Sequence, residues 1–383
     1  MDEGDHREPR SLSLSRIVWR VPPLSDSELA SLRSTFEDFA REAAGTSPLY
    51  ERLSLESAED DAVVSLLTAA PTRQRRPNLL FAAAHDILLS GTDHELATYY
   101  PSVGGRRRPD GDTFAVFRSF IEDFDDEIVS RLQNRATQTN EPGRCAALRA
   151  GLGQLPIAAD RPLAVLELGT SAGLLLHVDR YRYRYDGVSV GAQDAPVTIS
   201  TELRGGAPPE FGVREITERI GIDLDPLDPA DPADASWLKA CVWPEDVKRM
   251  KRLHAALLLA AEHNDVRFIQ GDLTELLEPV VRAVNPDIAV CVMHSATLAY
   301  LDESTFHVVE RTLDRLGAER DMSRLAFEGP FVEPFATQAQ RLVDSADDAV
   351  FLLGLTTWVD GSRADRLLAT AQPHGAWLEW LGR

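Results

Sequence analysis

The chain has 383 residues, 44% of them hydrophobic, three scattered cysteines and a formal net charge of −21 at pH 7. This charge argues against a nucleic-acid partner, and the cysteines provide neither a disulfide framework nor a Cys-x-x-Cys metal site. The scattered cysteines fit a reducing cytosol and no apolar stretch approaches a membrane span, so we expect a cytoplasmic protein with no membrane partner.

The first part of the chain carries helical patterns. Residues 1–16 lack the apolar core of a signal peptide and are predicted to be a flexible tail. Residues 17–155 are predicted to be a helical N-terminal domain that acts as a lid or substrate domain. Within it, Ser25 followed three residues later by Glu28 predicts a helix start with a capping box.

Two longer patterns within this region predict buried helices. Residues 78–89 are apolar nearly all round, which predicts a central helix. The apolar side chains between residues 114 and 132 recur at steps of three and four, which predicts one buried helix face. His85 and His94 are each followed by an acid, but their spacing matches no known ligand set, so no metal is predicted.

The later chain is organised around the stretch from residue 162 to 185. An apolar run at 163–168 predicts a buried strand, which breaks at a turn containing Gly169, Ser171 and Gly173. The leucines that follow, at 174–176, predict a helix. A strand, a glycine turn and a helix form an arrangement that presents backbone N–H groups to a ligand. The same turn can also serve only to pack the helix on the strand.

Strands and helices then alternate, which predicts a mainly parallel sheet. Period-two alternation in RYRYRY predicts a β-hairpin insertion at about 182–215. Further strands are predicted at 215–224, 266–269, 288–293 and 323–327, with helices after them; the runs 350–356 and 366–370 predict an antiparallel hairpin through Asp360-Gly361. We therefore predict a Rossmann-like α/β domain over 156–383, with the topology of class I methyltransferases, and helices of 25–150 over the carboxyl edge of its sheet.

Several phrases of the sequence are similar to a known bacterial family. They are RPNLLFAAAHDILLSGTDHELATYYPS, TQTNEPGRCAAL, LELGTSAGLLLHVDRYRY, GIDLDPLDPADPADASWLKACVWPE, HSATLAYL and HGAWLEWL. From about residue 49 to 381 the chain resembles the family known as domain of unknown function 2332. The resemblance implies a class I S-adenosylmethionine-dependent methyltransferase fold with a helical N-terminal region. It does not imply a particular activity. One departure is Leu175, where the family commonly has asparagine.

Placed on the methyltransferase plan, the residues after each strand become candidate ligands of S-adenosylmethionine, because ligands of such sheets bind outside the carboxyl ends of the strands. Asp223, after the second strand, is expected to accept hydrogen bonds from ribose, with Asp225 and Asp228 as competitors. Asp272 is expected near the adenine or as a plain helix cap. The predicted cofactor-binding residues are Glu167, Gly169, Ser171, Gly173, Asp223 and Asp272.

Residues after the fourth and fifth strands are the catalytic candidates. His294 is predicted to be a general base, with Glu328 and Tyr300 beside the reacting group. The alternative for His294 is a histidine fixed at a strand end by a backbone carbonyl. Ser295 lacks the Gly-x-Ser-x-Gly context of a hydrolase nucleophile.

A polar block just before the first strand is predicted to bind the substrate. It comprises Gln138, Asn140, Glu141 and Arg144, of which Arg144 would bind a carboxylate. A helix start capped by Asn140 is the alternative explanation. The sequence thus predicts a methyltransferase-like enzyme acting on a small polar molecule. The alternatives are the same fold used for hydrolysis, cyclisation or redox chemistry, and a non-catalytic ligand-binding protein.

Overall fold

The computed structural model describes residues 24–158, 161–205, 209, 211–335, 339 and 349–381, so the tail predicted at 1–16 lies outside it. The chain divides into two compact units. The first comprises the described residues up to Gln138 together with Ser236–Val247, and the second comprises Thr139–Ala235 and Lys248–Arg383. The boundary between the compact units, after Gln138, lies before the predicted domain boundary at residue 155. The division into folding domains stays a prediction.

The first unit is helical, as predicted for this part of the sequence. Its aromatic core includes Tyr50 stacked on Phe81, with the ring centroids 4.9 Å apart. The capping box of its first helix is present, with Ser25 and Glu28 exchanging side-chain and backbone hydrogen bonds. Its helices are α1 (Asp26–Ala43), α2 (Pro48–Ala58), α3 (Asp61–Leu66), α4 (Pro77–Leu89), α5 (Thr113–Asp123) and α6 (Asp125–Asn134).

The segment 236–247 completes this unit from far along the sequence. Ser236 Oγ donates to Asp86 Oδ1 at 2.6 Å, and His85 Nδ1 lies 3.0 Å from the carbonyl oxygen of Ala240. Glu245 accepts hydrogen bonds from Ser47 Oγ and the backbone N–H of Leu49. Three polar side chains of the early helical region therefore have partners that follow them by 150 to 198 positions.

The apolar pattern between residues 114 and 132 belongs to two helices rather than to one. The helix breaks at Phe124, which has φ −123° and ψ 33°. Three acids, Asp125, Asp126 and Glu127, follow at once and occupy the first turn of α6, where negative charge favours a helix N-terminus. The predicted buried face is confirmed on both helices, since Phe117, Phe120, Ile121, Ile128 and Leu132 are all buried.

The second unit is built on an 11-stranded mixed sheet with the order β3-β2-β4-β11-β10-β9-β8-β7-β1-β5-β6. Its strands are β1 (Leu163–Leu168), β2 (Arg182–Tyr185), β3 (Val188–Val190), β4 (Thr198–Gly205), β5 (Ile216–Asp223), β6 (Val266–Gln270), β7 (Ala289–Ser295), β8 (Met322–Glu328), β9 (Phe351–Val359), β10 (Ser362–Ala371) and β11 (Trp377–Trp380). Its helices are α7 (Cys145–Leu152), α9 (Val247–His263), α10 (Leu273–Ala283) and α11 (Glu303–Glu319), while α8 (Pro232–Ala240) crosses from this unit to the first.

Five of these strands, in the order β6-β5-β1-β7-β8, are parallel to one another. Numbered along the chain, they have the order 3-2-1-4-5 of a doubly wound sheet, whose switch point lies between its first and fourth strands. One face of this sheet packs against α10 and α11 in a single apolar cluster. On the other face, α7 approaches β8 so closely that a β-carbon on Gly151 would lie 2.5 Å from Leu325 Cδ1. The prediction of a mainly parallel α/β sheet is confirmed.

Two further groups of strands extend the parallel core: the C-terminal hairpin and the strands of the insertion at 182–205. The antiparallel hairpin of β9 and β10 through Asp360-Gly361 is confirmed. The insertion contains the predicted hairpin of β2 and β3, and β4 then pairs in parallel with β2 and with β11. The insertion therefore extends the same sheet instead of standing apart from it.

The helix predicted after the turn at 169–173 is absent from this stretch, which is fully described. A 3-10 helix, Leu174–His177, takes its place. The chain reaches β2 by Arg182, which leaves no room for a crossover helix, because the connection from β1 to β5 runs through the added strands instead. One turn of 3-10 helix carries no substantial macrodipole, so this turn does not offer a helix N-terminus to a ligand.

Candidate functional site

The loops that follow β1 and β7 meet at the switch point of the parallel strands. β1 lies between β5 and β7, and the β1 and β7 strands run side by side up to Leu168 and His294. Thr297, in the loop after β7, donates its hydroxyl hydrogen bond to the carbonyl oxygen of Leu168 at 3.0 Å. Ligands of doubly wound sheets bind in the crevice at this point.

Backbone strain is concentrated in the same two loops. Five non-glycine residues of the described chain have a positive φ. Three of them, Asp186, Asn264 and Asp360, are types that tolerate the left-handed region. The other two are Ser171 (φ 52°) after β1 and Ala296 (φ 53°) after β7. Such conformations cost about 1–3 kcal/mol and are retained mainly at functional sites, which makes this pair of loops the candidate site.

The backbone of the turn after β1 is held by the protein itself. Gly169 N–H donates to the carbonyl oxygen of Ile222 at 2.8 Å, and Ser171 N–H donates to Asp223 Oδ2 at 2.8 Å. Leu174 N–H donates to Asn140 Oδ1 at 2.9 Å. The turn is therefore rigid, and these N–H groups are not available to a ligand in this conformation.

Gly169 is required for packing against the second loop. Its φ is +70°, and a β-carbon there would lie 2.4 Å from Thr297 Oγ1 and 2.6 Å from Thr297 Cγ2. The sequence predicts that a side chain at this position would block a ligand, whereas here a threonine of the same chain occupies that space. Gly173, with φ +70°, is enclosed in the same manner by Phe268.

Asp223 connects the turn to the end of β5. Its carboxylate accepts hydrogen bonds from the N–H groups of Ser171 and Asp225, at 2.8 and 3.0 Å. A carboxylate has about four acceptor positions, so two remain for a ligand. Leu224, directly after Asp223, is 70% exposed. An acid with spare acceptors beside an uncovered apolar side chain suits a polar ring system with a flat apolar face.

Asp272 caps the helix that follows β6. Its Oδ1 accepts hydrogen bonds from the N–H and hydroxyl of Thr274, at 2.8 and 2.7 Å. These hydrogen bonds lower the pKa of the Asp272 carboxyl group. The cap predicted for this residue is present, and its contact with an adenine stays a prediction.

Glu167 is a buried carboxyl group on β1, beside the candidate site. Thr170 Oγ1 donates to its Oε2 at 2.9 Å, and burial raises the pKa of Glu167 to about 8. The group is therefore largely protonated at neutral pH, unlike an ordinary surface glutamate. A protonated carboxyl group can donate as well as accept a hydrogen bond.

Glu167→Gln is expected to remove a pH dependence of stability. The folded state keeps a proton that the unfolded state releases, so wild-type stability falls between pH 4.5 and about 8, at most by about 1.4 kcal/mol per pH unit. The melting temperature of the variant relative to wild type should therefore rise from pH 5 to pH 8, as measured by calorimetry. Exposed Glu262→Gln is the control. A melting difference that stays constant with pH would contradict the raised pKa.

His294 and Glu328 form a buried pair at the ends of β7 and β8. His294 Nδ1 lies 2.7 Å from Glu328 Oε1, and the same carboxylate accepts hydrogen bonds from the N–H groups of Thr297 and Leu298. In the tautomer in which Nδ1 donates to this carboxylate, Nε2 is an acceptor. No described group hydrogen-bonds this buried Nε2. The alternative explanation of His294 expected a backbone carbonyl group as its partner, whereas the partner of Nδ1 is the carboxylate of Glu328.

Tyr300 and Ser295 lie near the end of β7 and differ in exposure. Tyr300 is 76% exposed and lies in the loop after the strand. Ser295 Oγ is buried without a hydrogen-bond partner in the described structure. Because Ser295 and His294 are consecutive in a strand, their side chains point to opposite faces of the sheet. They therefore do not form a nucleophile–base pair.

The polar block before β1 supports the site from within the second unit, except for Gln138, which belongs to the first. Asn140 bridges the turn, donating from Nδ2 to the Thr170 carbonyl oxygen at 3.2 Å and accepting from Leu174 N–H. Glu141 is buried between Arg249 and Arg252 of α9. Arg144 donates to the carbonyl oxygens of Ser295 and Pro373. Substrate binding by these residues stays a prediction.

Three contributors to this site escaped the sequence analysis. Thr297 is part of the phrase HSATLAYL but carries no motif, and its role depends on its contact with Gly169. Arg249 and Arg252 lie three residues apart on a helix that the sequence does predict. Their spacing places them on the same helix face, but only the fold brings that face to Glu141.

The fold and the site define a doubly wound α/β protein with a candidate ligand site at its switch point. The chain belongs to the family described as "Uncharacterized protein conserved in bacteria (DUF2332)", whose model matches residues 33–380.

The solved structures similar to this chain include a cofactor-bound protein. A crystal structure of cofactor-bound Rv0187 from MTB is similar to 68% of this chain and 96% of its own, with 13% sequence identity and a TM-score of 0.19. No curated protein matches the chain. In the described residues, no helix is both long and apolar enough to cross a membrane.

Proposed function

We propose that this protein is an S-adenosylmethionine-binding, methyltransferase-like enzyme that acts on a small polar molecule at the switch point between β1 and β7. The observation that carries the proposal is the pair of strained loops, at Ser171 and Ala296, joined by the hydrogen bond from Thr297 to Leu168. A strained turn after the first strand, with an acid after the second, is the arrangement that a nucleoside-containing cofactor requires.

The nucleoside half of S-adenosylmethionine fits the residues present. Asp223 keeps two acceptor positions for ribose hydroxyl groups, and exposed Leu224 offers an apolar surface to the adenine face. Asp272 lies after β6, the strand next to β5, where the adenine edge is expected. Glu167, Gly169, Ser171 and Gly173 shape the turn beside it, where the amino-acid part is expected.

The bound cofactor supplies an electrophilic methyl group. The residues of this chain would then orient the substrate and accept its proton. Glu328 holds the proton of His294 on Nδ1, so that Nε2 is the basic nitrogen. Exposed Tyr300, in the loop after β7, is placed to cover a substrate at the mouth of the site.

The second candidate is a different reaction on the same fold, such as hydrolysis, cyclisation or redox chemistry. The observation that favours it is that the N–H groups of the turn after β1 are already hydrogen-bonded within the protein. Asp223 already binds two N–H groups, and Thr297 occupies the space above Gly169. The histidine–carboxylate pair is equally suited to proton transfer without a methyl donor.

Isothermal titration calorimetry distinguishes the two candidates. We expect S-adenosylmethionine or its demethylated product to bind with micromolar affinity, about −8 kcal/mol. Asp223→Ala should weaken binding by about 1–3 kcal/mol, the range for a lost hydrogen bond to a charged group. Asp231→Ala is the matched control, because Asp231 is an exposed acid further along the same connection that binds the N–H of Ala233. Undetectable binding of both compounds by the intact protein would favour the second candidate.

A further inference from the structure

Three arginines of the described chain are almost fully buried: Arg144, Arg219 and Arg324, each at most 5% exposed. Arg219 forms ion pairs with Asp179 and Asp265, at 2.7 and 3.3 Å. Arg324 is paired with Glu310. Arg144 differs from both, because no carboxylate of the described residues lies within 4.0 Å of its guanidinium.

The hydrogen bonds that Arg144 makes go to neutral carbonyl groups, and the carboxylates of Glu141 and Glu328 act on it only from beyond ion-pair distance. Its Nε donates to the carbonyl oxygen of Pro373 at 3.3 Å, and its Nη1 donates to that of Ser295 at 3.2 Å. A guanidinium has five N–H donors, and neutral carbonyl groups satisfy donors without cancelling charge. A buried cation without a counter-ion is unfavourable and is normally paired.

The neighbouring groups increase the positive charge at this place. Glu141 is the nearest acid in the sequence, but Arg249 Nε and Arg252 Nη2 occupy its two oxygens, at 2.5 and 2.7 Å. Two guanidinium groups thus share the Glu141 carboxylate, in a chain whose net charge is −21. His374 adds no negative charge, and its Nδ1 is buried without a partner in the described structure.

The location of Arg144 ties this charge to the ligand site. Ser295, whose carbonyl oxygen it contacts, is the last residue of β7, and Asn140, four residues earlier, bridges the turn after β1. Arg144 therefore lies at the carboxyl edge of the parallel strands, where the proposed ligands enter.

We propose that Arg144 binds an anionic group, a carboxylate or a phosphate, of a small molecule held at the carboxyl end of β7. The assignment deepens the proposed function and rests on its placement of the ligand site. The anion belongs either to the substrate or to the amino-acid part of S-adenosylmethionine. In both cases the planar guanidinium fork forms charge-assisted hydrogen bonds to it.

Inorganic phosphate is the first probe of this site. At constant ionic strength, phosphate should raise the melting temperature of the wild type, and Arg144→Gln should weaken the apparent affinity by about 10- to 150-fold. Arg161→Gln is the matched control, because Arg161 also donates to two carbonyl oxygens but precedes β1, at the opposite edge of the sheet. An equal phosphate response in wild type and Arg144→Gln, or a lost response in Arg161→Gln, would overturn the assignment.

Stability without phosphate gives a second, independent readout. Arg144→Gln removes an unpaired buried charge, so its melting temperature should equal or exceed that of wild type. Arg324→Gln leaves Glu310 without its buried partner, and its melting temperature should fall by several degrees. A large loss in Arg144→Gln, matching that of Arg324→Gln, would show a structural role and overturn the assignment. Arg144→Lys, which keeps the charge but not the fork, should retain part of the phosphate response.

Calorimetry with two nucleosides identifies the source of the anion. Methylthioadenosine has the adenosine and sulfur of S-adenosylmethionine but lacks its carboxylate. If Arg144→Gln weakens binding of S-adenosylmethionine alone, Arg144 binds the cofactor carboxylate; if it weakens neither compound but loses the phosphate response, Arg144 binds a substrate anion. A phosphate response that persists in a protein unable to bind either nucleoside would support this inference while the proposed cofactor fails.

Discussion

Gly169→Ala is expected to destabilise the protein by about 2–5 kcal/mol. Left-handed backbone costs a residue with a β-carbon about 1–2 kcal/mol, and overpacking against Thr297 adds about 1–3 kcal/mol. Urea denaturation of the purified variant measures the loss. A larger side chain, as in Gly169→Val, should destabilise the fold further, so a loss of ligand binding by that variant would not show that the ligand contacts the turn.

Gly361→Ala is the matched control for this effect. Gly361 has nearly the same φ, +73° against +70°, but a β-carbon there would have no heavy atom within 4 Å. Only the conformational cost of about 1–2 kcal/mol should remain. Equal losses in the two variants would mean that the contact with Thr297 carries no energy, and that the two loops are not tightly joined.

His294→Ala is expected to lower turnover by about 10²- to 10⁴-fold with little change in cofactor affinity, once a substrate is known. The reason is that His294 Nε2 is the basic nitrogen at the end of β7, while its Nδ1 is held by Glu328. His307→Ala is the control, because His307 is an exposed histidine of α11 that lies beside Glu303. Full turnover in His294→Ala would show that the histidine is structural.

Glu328→Gln and Glu328→Ala separate the electronic role of this carboxylate from its structural one. A glutamine oxygen can still accept from Thr297 and Leu298, so stability should be nearly unchanged, whereas turnover and its pH profile should change because the histidine loses its counter-charge. Alanine leaves buried N–H groups without an acceptor, at about 1–3 kcal/mol each. Equal turnover of wild type and the glutamine variant would exclude the proton-transfer role.

The sequence was sufficient to predict the parallel core because its strands are continuous apolar runs. β1 is the clearest case, since all six of its residues are buried and the prediction has the same limits as the strand. The pairing of the inserted strands with the rest of the sheet was beyond reach, because the alternation of Arg and Tyr predicts that β2 is a strand but not which strands lie beyond it. The choice of partner for β4 depends on hydrogen bonds with a strand more than 170 residues later.

The site was predictable in position but not in detail. The rule that ligands bind outside the carboxyl ends of parallel strands placed Asp223, His294 and Glu328 at one edge, and the pair of His294 and Glu328 is present there. The prediction of a helix after Gly173 was wrong, because a run of apolar residues does not show whether the connection to the next parallel strand contains an α-helix. The contact of Thr297 with Gly169 joins loops more than 120 residues apart and has no local signal.

The two-segment composition of the helical unit has a consequence for synthesis of the chain. Helices α1 to α6 leave the ribosome before the residues that complete their core, because one hydrogen-bond partner each of His85, Asp86 and Ser47 lies in the segment 236–247. At about 5–20 residues per second, the intervening residues take about 5–20 s to synthesise. During that interval the unit lacks Trp243, whose ring contacts Phe39 and Tyr50, and one hydrogen-bond partner of each of these polar groups. We therefore expect the helical unit to complete its fold only after the segment 236–247 has been synthesised.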